Sequence, residues 1–377
     1  MRKFPFFIFL TLLLVLSACG SSNESKSDDS AGKDDGGGAT ATYVASTGYP
    51  NTDGSVDTFA LPLLEHVMEQ TDEVSFDIFT GGELFGADES LDALNSKSID
   101  IEMVLSPTLD PQRFPYSSVV ALPLLESNAR IAAEAVQKLM ESDVEIADGK
   151  TYYELEFADK DLFVLPIHPT ETYVISTKGV KLDKLDNFKQ SVRIRASSNV
   201  HEMFIKELGL TPVALPATEI YDGLSRGALD GVMLNIPDWP PYGVVEQTDY
   251  TVTGLSLGHF PVFFAIRQEV WDSFSEDVQN LFVEEAKNLI DAGPDVYMGQ
   301  VEEILPEYEE KGGELVDVST LDPEVQDKIN KAIYNTWINW IEDLENRGFA
   351  GKEIALLWRD LIVEAGGSVP QEIMDLE

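Results

Sequence analysis

Two arginines in one apolar strand are the residues best placed to do chemistry. In the segment 187–196, Val192 and Ile194 alternate with Arg193 and Arg195, a period of two that sets both guanidinium groups on one face. Burying a guanidinium without a planar anion beside it is costly, and a carboxylate fits its fork with two hydrogen bonds. The strand therefore reads as an anion holder. The anion comes either from a ligand or from the protein itself, as a structural salt bridge in an acidic chain.

Catalytic chemistry finds little support. The histidines are His66, His168, His201 and His259, and none falls in a spacing that pairs metal ligands. There is no Gly-x-Ser-x-Gly elbow and no phosphate-cradling glycine loop. Asp and Glu together number 67, so pairs of carboxylates carry no information. No catalytic residue, metal or cofactor is expected, and a surface enzyme or adhesin is the minor alternative. The formal charge of −41 repels nucleic acid and anionic headgroups, which excludes both as expected partners.

The elements that must position Arg195 alternate between strand and helix. Tyr43 to Ser46 reads as a first strand, followed by the Gly48–Gly54 loop. Next comes a helix with Val56, Phe59, Leu63, Leu64 and Val67 on one face and Pro62 in its early turns. Val74, Phe76 and Ile78 alternate as a second strand, residues 88–97 form a short helix, and Ile99, Ile101, Met103 and Leu105 alternate with Asp100 and Glu102 as a third. This order implies an α/β sheet. Around Arg195 the pattern repeats: a strand at 173–176, a helix at 199–208 closed by Gly209, a helix over Thr218–Leu224 with Thr218 as N-cap, and a strand over Leu229–Ile236. Phe260 to Ile266 is expected to cross back to the first sheet. The C-terminal third is helical, with Gly293-Pro294 expected to break or bend a segment running from Glu276 to about Leu305. Ile333, Trp337, Trp340, Ile341 and Leu344 share a face and read as packing residues.

The segment that holds Arg195 resembles the core of the solute-binding proteins of tripartite ATP-independent periplasmic (TRAP) transporters. In that family a strand of pattern D-L-x-G-x-K-I-R-V is followed by a helix and then by P-x-x-x-x-E-x-Y-x-A-L-x-x-G-x-x-D-G. Here the first part reads Asp186 to Arg195, ten residues against the pattern's nine, and Glu219 to Gly231 carries the second at the same spacing, with Tyr221, Leu224, Gly227, Asp230 and Gly231 in place and Pro216 two places nearer to Glu219 than in the pattern. Ala121-Leu122-Pro123-Leu124-Leu125 matches the family's L-P-F-L segment, and the likeness extends more weakly over residues 42–365. It implies an α/β, two-lobed, periplasmic-binding-protein-like fold (type II-like) with crossing hinge strands and a helical C-terminal region. Lobe I is expected from 42–168 plus about 260–300, and lobe II from 169–259 plus about 301–377.

The resemblance also implies that Arg195 forms the main ion pair with a substrate carboxylate in a cleft that closes on it. Relatives often carry a second arginine where Thr170-Glu171-Thr172-Tyr173 stands here, which favours a smaller or less charged acid over a dicarboxylate. Asn235 lies one place later than a family asparagine. Trp239 and Tyr173 are possible aromatic cleft walls or packing residues, and Ser106 follows the third strand at a typical ligand-facing end. Glu219, Asp230 and Gly231 read as structural. The expected partners are a small organic acid and TRAP-type permease subunits, with a receptor of the same fold serving another transporter or a sensor kinase as the alternative.

The N-terminus sets the expected location. Arg2 and Lys3 precede an apolar run from Phe4 to Leu16, too short for a usual transmembrane helix. The run ends in Leu16-Ser17-Ala18-Cys19, the pattern of a lipoprotein signal peptide covering 1–18, with Cys19 acylated. Cys19 is the only cysteine, so no intramolecular disulfide can form. Residues 19–41 are polar and rich in glycine and serine, a flexible tether. The expectation is an extracytoplasmic protein held to the cell membrane by lipid.

Overall fold

The structure is a computed structural model that describes residues 40–377. The expected signal peptide, Cys19 and nearly all of the tether lie outside the described residues. No described helix is long and apolar enough to cross a membrane.

In chain order the strands are β1 (Ala41–Ser46), β2 (Val74–Phe79), β3 (Ile101–Leu105), β4 (Leu162–Pro166), β5 (Tyr173–Thr177) and β6 (Arg193–Ala196). They continue as β7 (Thr211–Ala214), β8 (Gly231–Asn235), β9 (Tyr250–Thr253), β10 (Phe263–Arg267) and β11 (Glu314–Asp317). Two sheets result, one ordered β2-β1-β3-β10-β4 and the other β11-β9-β5-β8-β6-β7. β1 is parallel to β2 and β3, whereas β10 runs antiparallel between β3 and β4. The fold is thus two-lobed α/β, with one sheet at the centre of each lobe.

The five apolar residues expected on the first helical face are all fully buried. Their segment is a wide π-type turn, Val56–Ala60, that feeds an α-helix over Leu61–Gln70. Pro62 lies inside this continuous helical segment, directly after the π-type turn in which Leu61 N donates to Val56 O, and that local widening accompanies the residue that lacks an N–H. In β3 the alternation misleads. All five of its residues are buried, Glu102 included, because the strand is central in its sheet. Thr218 is also not a cap: it lies inside a 3-10 turn, Ala217–Glu219, that leads into the helix Ile220–Ser225, and no side chain caps either.

The chain crosses between lobes at 167–172 and returns at 254–262. The two crossings hydrogen-bond as antiparallel partners: Ile167 N donates to Val262 O at 3.2 Å and Tyr173 N to Gly258 O at 3.0 Å. His259, fully buried, ties this hinge to lobe I. Its Nδ1 donates to Thr170 O at 2.8 Å, so its Nε2 accepts from Ser127 Oγ at 2.8 Å. Burial holds its pKa down at about 4, so the ring is neutral at physiological pH.

A third connection is the helix Glu276–Glu310, which runs unbroken through Gly293-Pro294 and carries Pro306 as well. The expected break does not occur. Buried residues from Val278 and Phe282 at one end to Ile304 and Tyr308 at the other fasten the helix to both lobes. That packing outweighs the roughly 3 kcal/mol an interior proline costs. Gly293 has a separate reason to be glycine: a Cβ there would lie 1.9 Å from His168 Cδ2. The C-terminal helix Pro323–Asn346 packs on the lobe II helix Asn199–Glu207, while its Trp337 and Trp340 Nε1 groups donate to Pro123 O at 2.7 Å and Ser118 Oγ at 2.9 Å. The face Ile333–Leu344 is buried as expected of packing residues.

Candidate functional site

β6 delivers two arginines to the same face with opposite outcomes. Arg193, near the strand's start, finds a protein anion: its Nε donates to Asp230 Oδ2 at 2.9 Å and its Nη2 to Oδ1 at 3.0 Å. Arg195 is 5% exposed and has no carboxylate within salt-bridge distance among the described residues. Every other described arginine (Arg113, Arg130, Arg193, Arg226, Arg267, Arg347 and Arg359) has one. Arg195 is instead steadied by backbone carbonyls, Nε donating to Leu215 O at 2.9 Å and Nη1 to Met233 O at 3.4 Å. Burial lowers its pKa, opposed by the nearby Tyr173, Tyr242, Tyr49 and Asp238. The guanidinium is therefore fixed in direction and left without a counter-charge in contact.

Those neighbours come from both lobes. Tyr173 opens β5 opposite Asn235, the last residue of β8. Asn235 caps the turn Ile236–Asp238: its Oδ1 accepts from Asp238 N at 3.3 Å and its Nδ2 donates to Asp238 Oδ2 at 2.6 Å. His201 braces Tyr173, the ring centroids being 4.6 Å apart. The histidine's Nε2 donates to Leu257 O of the hinge at 3.1 Å and its Nδ1 accepts from Ser197 Oγ at 2.7 Å. Burial and the Arg195 charge pull His201 down to about 3, so it too stays neutral.

Lobe I supplies Tyr49, whose hydroxyl lies 2.9 Å from Ser106 Oγ just beyond β3, and Asp53 in the loop after β1. Tyr242 OH of lobe II reaches across to donate to Asp53 Oδ2 at 3.4 Å. Burial and then the Asp238 charge push the Asp53 carboxyl upward, and burial pushes Asp238 up against the pull of Asn235 and Arg195. Burial likewise raises Tyr173 to about 12.

Of the residues singled out from the sequence, Arg195, Tyr173 and Asn235 fall around one point, and Ser106 reaches it through Tyr49. Trp239 is fully buried with its ring 5.0 Å from Tyr308 of the long helix, and its Nε1 has no partner among the described residues. Sequence reasoning passed over Tyr49, Asp53, Tyr242 and Ser197 as site residues. The rule that selected Ser106, that strand ends face the ligand in an α/β sheet, would have found Tyr49 after β1 and Ser197 after β6. No group of metal-ligating side chains occurs among the described residues.

Residues 48–340 match the family described as bacterial extracellular solute-binding protein, family 7. The ectoine-binding periplasmic protein TeaA of Halomonas elongata is 25% identical over 219 residues, 58% of this chain and 57% of that protein, so the chain matches little more than half of its length. Among solved structures, a marine-metagenome TRAP solute binding protein in complex with 3-hydroxybenzoate superposes with a TM-score of 0.75 at 20% identity, covering 87% of this chain and 100% of that one. A TRAP solute binding protein from Rhodoferax ferrireducens with copurified benzoate gives 0.73 at 18% identity, with 86% and 98% covered. The two solved structures share the two-lobed fold described above. Since the family match takes in well over half of the chain, the protein belongs to the bacterial extracellular solute-binding proteins of family 7, receptors rather than enzymes.

Proposed function

We propose that this protein is a lipid-anchored TRAP-type receptor that captures a small organic acid in the cleft between its lobes and hands it to a membrane permease. The observation that carries this reading is Arg195, the described arginine left without a carboxylate partner. A ligand carboxylate would complete its fork. Tyr173, Asn235 and Ser106 would hydrogen-bond the rest of the solute, and Trp239 would support that wall from behind. The named relatives favour the same chemistry, since ectoine, 3-hydroxybenzoate and benzoate all carry a carboxylate.

In this reading an open form binds the acid on lobe II. Contacts from Tyr49 and Ser106 on lobe I then favour closure, and the closed face is what the permease meets. Uptake draws on an ion gradient at the permease. Cys19, in its Leu-Ser-Ala-Cys setting, carries the lipid that keeps the receptor on the extracytoplasmic face of the cell membrane. Mass-spectrometric detection of diacylglyceryl on Cys19 tests the anchor, and an unmodified cysteine contradicts it.

A thermal-shift screen of the protein against small organic acids tests the receptor reading, with Arg195→Ala as the paired control. At least one acid should raise the melting temperature of the wild type and leave the variant unmoved. Equal shifts in both proteins would make Arg195 structural.

A further inference from the structure

Arg195 is not the only charged group of this cleft that lacks an opposite charge in contact. Asp53 enters from the lobe I loop and Asp238 from the lobe II turn, and no Lys or Arg lies within salt-bridge distance of either among the described residues. Asp53 Oδ1 accepts from Ser55 N at 3.0 Å and its Oδ2 accepts a long bond from Tyr242 OH at 3.4 Å, with the Val56 backbone also favouring the charged carboxyl. Asp238 Oδ2 is held by Asn235 Nδ2 at 2.6 Å. The two carboxyls sense each other, and the tyrosines that sense them are shared: Tyr242 and Tyr297 respond to both, Tyr49 to Asp53 and Tyr173 to Asp238.

The cleft thus holds one buried guanidinium and two half-buried carboxyl groups. An organic anion alone would satisfy Arg195 but leave the two carboxyls, pushed up to about 7 for Asp53 and about 6 for Asp238, with nothing but a proton to neutralise them. A second, positive group on the same solute neutralises them instead. Tyrosine surroundings also suit an organic cation, whose charge the aromatic rings attract. Because one aspartate belongs to each lobe, a cation between them would relieve the repulsion that closure creates.

Resting on the receptor reading above, we propose that the solute is zwitterionic: its carboxylate sits on Arg195, and its cationic group sits between Asp53 and Asp238, bridging the lobes. The receptor is then tuned to small molecules with both charges and discriminates against simple organic acids of the same shape.

Calorimetric titration of the full-length protein with isosteric pairs tests this. Glycine betaine is set against 3,3-dimethylbutanoate, proline against cyclopentanecarboxylate, and 4-(trimethylammonio)benzoate against 4-tert-butylbenzoate. The zwitterion of at least one pair should bind 10-fold or more tightly than its uncharged-end partner. Asp53→Asn and Asp238→Asn should each weaken the zwitterion at least 10-fold and tighten the plain carboxylate, a crossed effect that general damage to the fold would not produce. The proposal is overturned if the plain acids bind as well in every pair, or if the Asn variants leave the preference intact. It is also overturned if plain acids bind tightly only with added calcium and not with EDTA, since the aspartates then hold an inorganic cation. Binding of either class that survives in Arg195→Ala would instead sink the underlying receptor reading, as would silence of the whole panel.

Discussion

Arg193 and Arg195 stand two residues apart on one strand face, yet one is tied to a carboxylate within lobe II and the other is held by backbone carbonyls alone. The period of two could show only that they share a face. Which arginine takes the internal partner depends on Asp230, 37 residues beyond Arg193 and brought to it by the adjacent strand. Glu102 makes a second residue-scale point. It is fully buried in β3, with Oε1 accepting from Val104 N at 3.1 Å and Oε2 unpartnered among the described residues. Burial raises its pKa from 4.5 to about 7, against the hydrogen bond from Val104 N. Between those values the folded chain keeps a proton that the unfolded chain has released, so this group erodes stability as pH rises through the window, by roughly 3 kcal/mol in all. Glu102→Gln should therefore melt close to the wild type at pH 5 and clearly above it at pH 8. A gap that does not change with pH would contradict the assignment.

At the scale of elements, the strands and the buried helix faces were legible, because hydrophobic periodicity is a local signal read directly by burial. The Val56–Val67 face and the Trp337–Leu344 face are where their spacing put them. What failed was punctuation. Thr218 has the chemistry of a cap but sits one turn inside, and Gly293-Pro294 has the chemistry of a break but is overridden by packing along the whole helix. The loop residues of the site, Tyr49, Asp53 and Tyr242, were invisible for a related reason: a loop has no period, and its meaning comes from what the far lobe brings to it. The His168 contact gives this a test. Alanine is the better helix former than glycine by about 1 kcal/mol, so helix propensity alone predicts that Gly293→Ala stabilises. The clash with His168 predicts a loss of about 1–3 kcal/mol instead, as for other overpacked sites. Chemical denaturation of Gly293→Ala, His168→Ala and the double variant should show strongly non-additive losses, and additivity would deny the contact.

For the whole molecule, a charge of −41 is spread over a chain whose buried ionisable groups are mostly neutralised by their surroundings. The excess lies on the surface, where self-repulsion favours expansion and salt screens it. Melting temperature should rise by several degrees between 0.05 M and 1 M sodium chloride, and an unchanged or falling value would show that surface repulsion is unimportant. The two-lobed plan was legible from the alternation of elements together with the Asp186–Gly231 motif. The hinge was legible only as a crossing, since its strength rests on paired backbone groups and on the neutral His259.

Arg195 joins the three scales: a residue without a carboxylate in contact among the described residues, on an interior strand of the lobe II sheet, over which we propose that the two lobes close. The most direct test is a crystal structure of the protein with an acid taken from the thermal-shift screen. The carboxylate should lie within about 3 Å of the Arg195 guanidinium, between Tyr173 and Tyr49 and covered by both lobes. An acid bound elsewhere, with Arg195 still resting on Leu215 and Met233 alone, would contradict the central claim.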